Sequence, residues 1–214
     1  GVLSFKTIYS WIHRGFLAVT EKVLRRKGKK PGTQEKRGRF NVKKTIKDRP
    51  QEVENRETFG HWELDTMVSS RGQSKGCLAT FVERKTRFYI AIKMDDRSKD
   101  SMFLAISSLY NTLTSKLLKT FTVDRGKEFA CFEQVETEFG IPMYFADAYV
   151  SWQRGSNENS NGLLREFFPK KTDLAKVTLD KLIESLMLIN NRPRKCLGFK
   201  TPFDMFKHEI RKLI

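Results

Sequence analysis

The sequence is 214 residues long, 39% hydrophobic and 12% aromatic, enough for one good-sized core plus a small appendage and too apolar for a disordered chain. Its formal net charge is +16, and no apolar run approaches the roughly 18 residues that would span a bilayer. Three scattered cysteines and three scattered histidines argue against a disulfide framework, a zinc knuckle and a histidine metal cage, and fit a reducing cytoplasm.

At the front, "GVLSFKTIYSWIHRG" has neither a signal-peptide pattern nor a starting Met, as expected of a fragment. Lys6 to Phe16 read as one short helix with Ile8, Trp11 and Ile12 on one side, similar to the last helix of a helix-turn-helix module. A basic stretch to about Asn55 follows. Residues 1–50 carry 15 Lys/Arg against 3 Asp/Glu, whereas the other 164 residues carry 26 against 22. So basic and apolar-poor an arm cannot bury a core; it is either a solvated tail or, as expected here, a partner for nucleic acid.

From Phe59 the texture changes. "GHWELDTMVSS", "GCLATFVER" and "RFYIAIKM" read as three consecutive strands of a meander. "SKDSMFLAISSLYNTLTSK" is a helix capped by Ser98, with Met102, Ile106, Leu109 and Leu113 as its stripe. "LLKTFTVD" is a strand, "CFEQVETEFG" a short helix closed by Gly140, and "IPMYFAD" a fifth strand. In "WQRGSNENSNGLLREFFP", taking Glu158 as zero and 100° per residue, Asn161, Gly162 and Arg165 share its helix face. Leu163, Leu164, Phe167 and Phe168 fall opposite, towards a core. Two more helices follow: one with Leu182, Ile183, Leu186 and Ile189 as its buried side, and one capped by Thr201 with Pro202 in its first turn. Three strands, then helix–strand alternation, outline an α/β ribonuclease H-like fold: a mixed five-stranded sheet, three antiparallel strands then parallel crossovers, flanked by helices.

In that arrangement the first strand and the end of the fourth lie side by side, bringing Asp65 of "WELDT" near Asp124 of "FTVDRGKEF". A buried aspartate needs a cation or hydrogen-bond donors, so both invite a functional reading, although Asp124 alone could be a turn former. Glu158 supplies a third carboxylate. Three converging carboxylates make a hard-oxygen site suited to Mg²⁺ or Mn²⁺. Glu63 is a rival to Asp65 or a solvated edge charge, and Glu128 and Asp147 suit structural or outer roles.

These residues carry a resemblance. "GHWELDT", "TVDRGKEF" and "YFADAYVSWQRGSNENSNGLLREFFPKKTDL" resemble the catalytic core of the insertion sequence 30 family of bacterial transposases, and "NNRPRKCLGFKTPFDMF" resembles the end of that integrase-type core. The likeness runs from about Thr45 to about Phe206, some three-quarters of the chain. It implies a DDE triad of Asp65, Asp124 and Glu158 holding two Mg²⁺ or Mn²⁺ ions, with 33 residues between the second and third members. It departs from the usual pattern at Arg125, where asparagine is common. The implied activity is DNA end cleavage followed by strand transfer; a related nuclease or a catalytically silent DNA-binding remnant are the alternatives.

The organisation expected from the resemblance is a helix-turn-helix remnant at 1–17, a basic linker at 18–55 and the catalytic core at 56–214. The expected partners are DNA, both element ends and target, and further copies of the chain assembled on it, with no membrane and a cytoplasmic, nucleoid-associated location. The expected DNA contacts are Arg125, Lys127, Trp152, Arg154, Asn157, Asn161, Arg165, Lys170, Lys171 and Arg194, with Arg192 and Lys195 as further basic candidates. Trp152 could stack on an unpaired base or be a plain core aromatic.

Overall fold

The computed structural model describes residues 3–20, 42–70, 74–147 and 150–213. The chain forms two units, residues 1–36 and residues 37–214. In the first, the expected helix is α1, Phe5–His13, its N-terminus capped by Ser4, whose Oγ accepts from Lys6 N–H at 3.3 Å. Most of the basic arm, residues 21–41, lies outside the described residues.

The second unit is built on a five-stranded sheet of order β3-β2-β1-β4-β5. The strands are β1 (His61–Val68), β2 (Cys77–Glu83), β3 (Tyr89–Met94), β4 (Thr120–Val123) and β5 (Met143–Phe145). The first three pair antiparallel, and β4 and β5 add in parallel on the other side of β1. The meander and crossovers read from the sequence are therefore those observed, because short turns force neighbouring strands to pair antiparallel and helical crossovers force parallel pairing.

Alternation along the strands sorts side chains to two faces. Trp62, Leu64, Ala79, Phe81, Phe121 and Val123 face one layer. There they pack with Met102, Ile106 and Leu109 of α3 (Lys99–Thr112), Val135 of α4 (Phe132–Phe139) and Phe206 of α7 (Pro202–Arg211). Leu78, Val82 and Tyr89 face the other layer, with Leu164 of α5 (Gly155–Phe167) and Leu182 and Ile189 of α6 (Leu179–Asn190). The expected caps are in place: Ser98 accepts from Ser101 N–H, Thr201 accepts from Asp204 N–H, and Gly140 closes α4 with φ of 67°. The cysteines are free, and burial pushes the Cys77 and Cys131 thiols up to about 12, which favours the protonated form.

Three expectations are corrected. Residues from 42 onwards, assigned to the linker, lie against the sheet: Lys44 C=O accepts from Phe145 N–H and Thr45 bridges to Phe145. Beyond them the buried Arg49 reaches Thr122 Oγ1 at 3.1 Å, and helix α2 (Gln51–Asn55) buries Val53. These contacts cover the β5 edge, which would otherwise present unpaired backbone.

On α6, Ile183 is exposed. The inward face instead runs through Leu182, Ser185, Ile189 and Asn190. Asn190 explains the rotation: its amide accepts from Tyr89 N–H at 2.9 Å and donates to Tyr89 C=O at 2.8 Å, capping the open edge of β3.

Helix α5 is likewise turned. Leu164 and Phe168 are buried as expected, but Leu163 and Phe167 are only partly so, and Ser156, Asn157 and Ser160 are buried with them.

His61 opens β1 with its ring sealed between two hydroxyls, Nδ1 2.8 Å from Thr120 Oγ1 and Nε2 2.9 Å from Thr58 Oγ1. Burial lowers its pKa to about 4. Because the folded pKa lies below that of the unfolded chain, falling pH favours unfolding. His61 costs nothing above about pH 6.5 and weakens the fold by up to about 3 kcal/mol as pH drops from there to about 4. Urea midpoints measured across that window should fall more steeply for the parent than for His61→Gln; equal slopes would show that His61 protonates in place.

Candidate active site

Residues His61, Trp62 and Glu63 of β1 stand opposite Thr120, Phe121 and Thr122 of β4. The same offset carried two residues further sets Asp124, just past the end of β4, level with Asp65. Both have the parity of Glu63 and Thr122, so both point to the sheet face covered by α5.

One cation joins them. Arg154, immediately before α5, donates from Nη2 to Asp124 Oδ2 at 3.1 Å, and its Nη1 lies 3.5 Å from Asp65 Oδ1. Nη1 also donates to the Leu64 C=O at 3.4 Å.

Each aspartate is held by further donors. Asp65 accepts from Thr66 N–H at 2.8 Å and from Asn161 Nδ2 at 3.2 Å. Asn161 is itself oriented by the buried Tyr89 hydroxyl, which donates to its Oδ1 at 2.7 Å; burial pushes that phenol far up, so it keeps its proton. Asp124 accepts from Gly126 N–H at 2.8 Å. A Cβ at Gly126 would lie only 2.5 Å from Glu128 Oε2, so a side chain there would displace the Glu128 carboxylate from Thr66 and Arg97. Burial raises the Asp65 carboxyl above the usual carboxylate range, with nearby Arg154 opposing the shift and Asp124 adding to it.

Glu158 stands apart from this pair. It is exposed at the rim of an open hollow of about 520 Å³ lined by Gly155, Asn159, Gly162, Leu163 and Glu166, and has no hydrogen-bond or ion-pair partner among the described residues. No group of three His, Cys, Asp or Glu side chains is gathered as metal ligands among those residues. The expected three-carboxylate cluster is thus present as a pair plus an outlying third. Glu158 nonetheless sits one turn beyond Arg154 and one turn before Asn161, the two α5-side residues that touch the aspartates. The donor set fits a hard divalent ion: two facing carboxylates that already hold a cation between them.

The rival Glu63 is neither ligand nor solvated charge. It is fully buried, accepts from Arg84 Nη1 at 2.5 Å and from Asn157 N–H at 2.9 Å, and ties α5 to β1. Asn157 spends its side chain the same way, donating to the carbonyls of Glu63 and Thr80 and accepting from Thr80 Oγ1. With no exposed surface it cannot touch DNA, which corrects the expectation that it does. Glu128 is buried and accepts from Thr66 Oγ1 and Arg97 Nε, and Asp147 pairs with Gln153.

The other expected DNA contacts divide. Arg125, Lys127, Lys170, Lys171 and Lys195 are exposed, and Arg192 is exposed beside Glu166. Arg154 and Asn161 serve the aspartates, while Arg165 donates to the carbonyls of Val68 and Phe168. Arg194 is half-buried with Nη2 on the Ile189 carbonyl. The Trp152 side chain lies outside the described residues. Sequence reasoning missed Arg84 and Tyr89, for neither lies in a motif. Their only signal is a charge and a hydroxyl at strand ends.

Residues 55–151 match the integrase core domain family. The chain is 38% identical over 187 residues to the transposase InsI for insertion sequence element IS30A of Escherichia coli (strain K12), covering 86% of this chain and 48% of that protein. It is 36% identical over 223 residues to the transposase for insertion sequence element IS4351 of Bacteroides fragilis, covering 99% and 66%. The chain therefore spans about half to two-thirds of the length of these relatives. Among solved structures, the catalytic core domain of BIV integrase matches with a TM-score of 0.57 at 18% identity, over 73% of this chain and all of that one. The HTLV-2 integrase catalytic core domain in complex with magnesium matches with a TM-score of 0.53 at 17% identity, over 68% and 95%. These likenesses give the second unit the ribonuclease H-like fold.

Proposed function

The chain belongs to the insertion sequence 30 family of bacterial transposases, and from that premise we propose that it carries the catalytic core of a metal-dependent DNA strand transferase. The observation that carries the reading is the Asp65–Asp124 pair, set level on neighbouring parallel strands and already sharing a cation. Asp65 and Asp124 would hold the divalent ions, Mg²⁺ or Mn²⁺ and two in number, with Glu158 completing one ion's ligand set. Such ions, when bound, activate a water or a 3′-hydroxyl and stabilise the leaving oxygen of a phosphodiester.

The protein's own part is positioning. Tyr89 fixes the Asn161 amide, which fixes the Asp65 carboxylate; the Gly126 N–H fixes Asp124; and Glu63, Arg84 and Asn157 fix the helix that presents Glu158. The exposed Arg125, Lys127, Lys170 and Lys171 would meet the DNA backbone, as would the basic arm. Residues 1–17 are read as the tail of a helix-turn-helix region that recognises element ends. Pairing two ends calls for more than one copy of the chain on DNA, in the bacterial cytoplasm at the nucleoid.

Glu158→Gln tests the reading. With Mg²⁺ or Mn²⁺ the parent should nick and join labelled duplex DNA, and the variant, melting at the parent's temperature, should do neither. Equal cutting by both would remove Glu158 from the site. Nicking by the parent without joining would mark a nuclease instead.

A further inference from the structure

We propose that Arg154 is a built-in counter-cation for the aspartate pair, and that its guanidinium must swing away before a divalent ion can bind there. The proposal rests on reading Asp65 and Asp124 as metal ligands. Arg154 contacts Asp65 through Oδ1 and Asp124 through Oδ2, so one guanidinium spans both carboxylates at 3.5 and 3.1 Å. A second cation placed between those oxygens would sit within a few ångströms of the guanidinium, like charge against like charge. Arg154 and a divalent ion therefore compete for the same place.

The exchange is a movement of the side chain rather than of the loop. The backbone before Arg154 is stapled: Gln153 Oε1 accepts from Asp147 N–H at 2.8 Å and its Nε2 donates to Asp147 Oδ2 at 3.1 Å. The Arg154 side chain is 16% exposed, so it is not wholly enclosed. The arrangement offsets about half of the charge of two facing carboxylates, and it makes any incoming ion displace the arginine. Apparent affinity falls by the fraction of molecules in which the pair is free, so an arginine engaged in about nine molecules of ten weakens binding about tenfold.

The test is calorimetric titration of Mn²⁺ into the 214-residue chain and its Arg154→Gln, Arg154→Lys and Asp65→Asn variants, with melting temperatures recorded with and without Mn²⁺. Arg154→Gln should bind Mn²⁺ about tenfold more tightly than the parent. It should melt lower than the parent without metal and no lower with it. Arg154→Lys, which keeps the charge but not the two-armed reach, should fall between the two and stands in for Arg154→Gln if that variant does not fold. Unchanged or weaker Mn²⁺ binding by both arginine variants, with melting lowered equally in both conditions, would make Arg154 an ordinary structural partner and overturn the proposal. Should the parent and Asp65→Asn bind Mn²⁺ alike, or the parent not at all, the metal-ligand reading itself fails and takes the proposal with it.

Discussion

Asp65→Asn is expected to lower metal-dependent nicking and joining by about a thousandfold while leaving the melting temperature unchanged or slightly raised. The substitution keeps the shape of the side chain, and its one carbonyl oxygen can still accept from Asn161 or Thr66, so the strand and helix α5 keep their places. What disappears is the negative charge. Metal ions supply several kcal/mol of charge stabilisation in the transition state, and each 1.36 kcal/mol is tenfold in rate, which sets the thousandfold scale.

Stability moves the other way because Asp65 is a cost to the fold. Burial raises its carboxyl above the usual range, and in the parent one arginine serves two carboxylates. Removing one leaves Arg154 matched one-to-one with Asp124. Function that costs stability is the ordinary pattern at such sites. Asp124→Asn should behave alike. Activity within tenfold of the parent in either variant, measured at saturating Mn²⁺, would move the metal site elsewhere.

Arg84→Met should destabilise the protein by about 3–5 kcal/mol, the usual consequence of removing one partner of a buried ion pair. For a chain of this size that lowers the melting temperature by the order of 10 °C. Glu63 has no exposed surface, and Arg84 is its only cationic partner among the described residues; without it, the Asn157 N–H alone faces a buried charge. Arg84 also donates from Nε to the Val53 carbonyl, so its loss loosens the segment that covers the sheet edge.

Adding Glu63→Gln to Arg84→Met should restore most of the lost stability, since the amide can still accept from Asn157 without carrying charge. Differential scanning of the single and double variants decides this. If both melt together, the stranded carboxylate is not the cause and the loss lies in the Val53 contact.

Much of the fold was legible because strand alternation, helix period and capping residues are local. The five strands, the helix caps at Ser98 and Thr201 and the closing Gly140 needed no knowledge of distant contacts. Two of the errors share an origin. Ile183 was placed inward by hydrophobicity and Asn157 was expected to face DNA beside Glu158, yet in both helices an asparagine turned the face by pairing with strand backbone: Asn190 with Tyr89, and Asn157 with Glu63 and Thr80. Period counts apolar residues and is blind to an amide that buries itself by satisfying a strand.

By itself the sequence determined the five strands and the main helices, that a basic arm precedes an acidic-motif core, and which three carboxylates are candidates for chemistry, because each of these follows from residue type and short-range spacing. Only the tertiary structure decided that Asp65 and Asp124 stand level and share Arg154, that Glu63 is a dock rather than a ligand, and that Glu158 stands outside the pair. Those outcomes depend on contacts between residues 30 to 96 positions apart. Partners so distant leave no period in the chain, and only the packing of α5 on β1 brings them within hydrogen-bond reach.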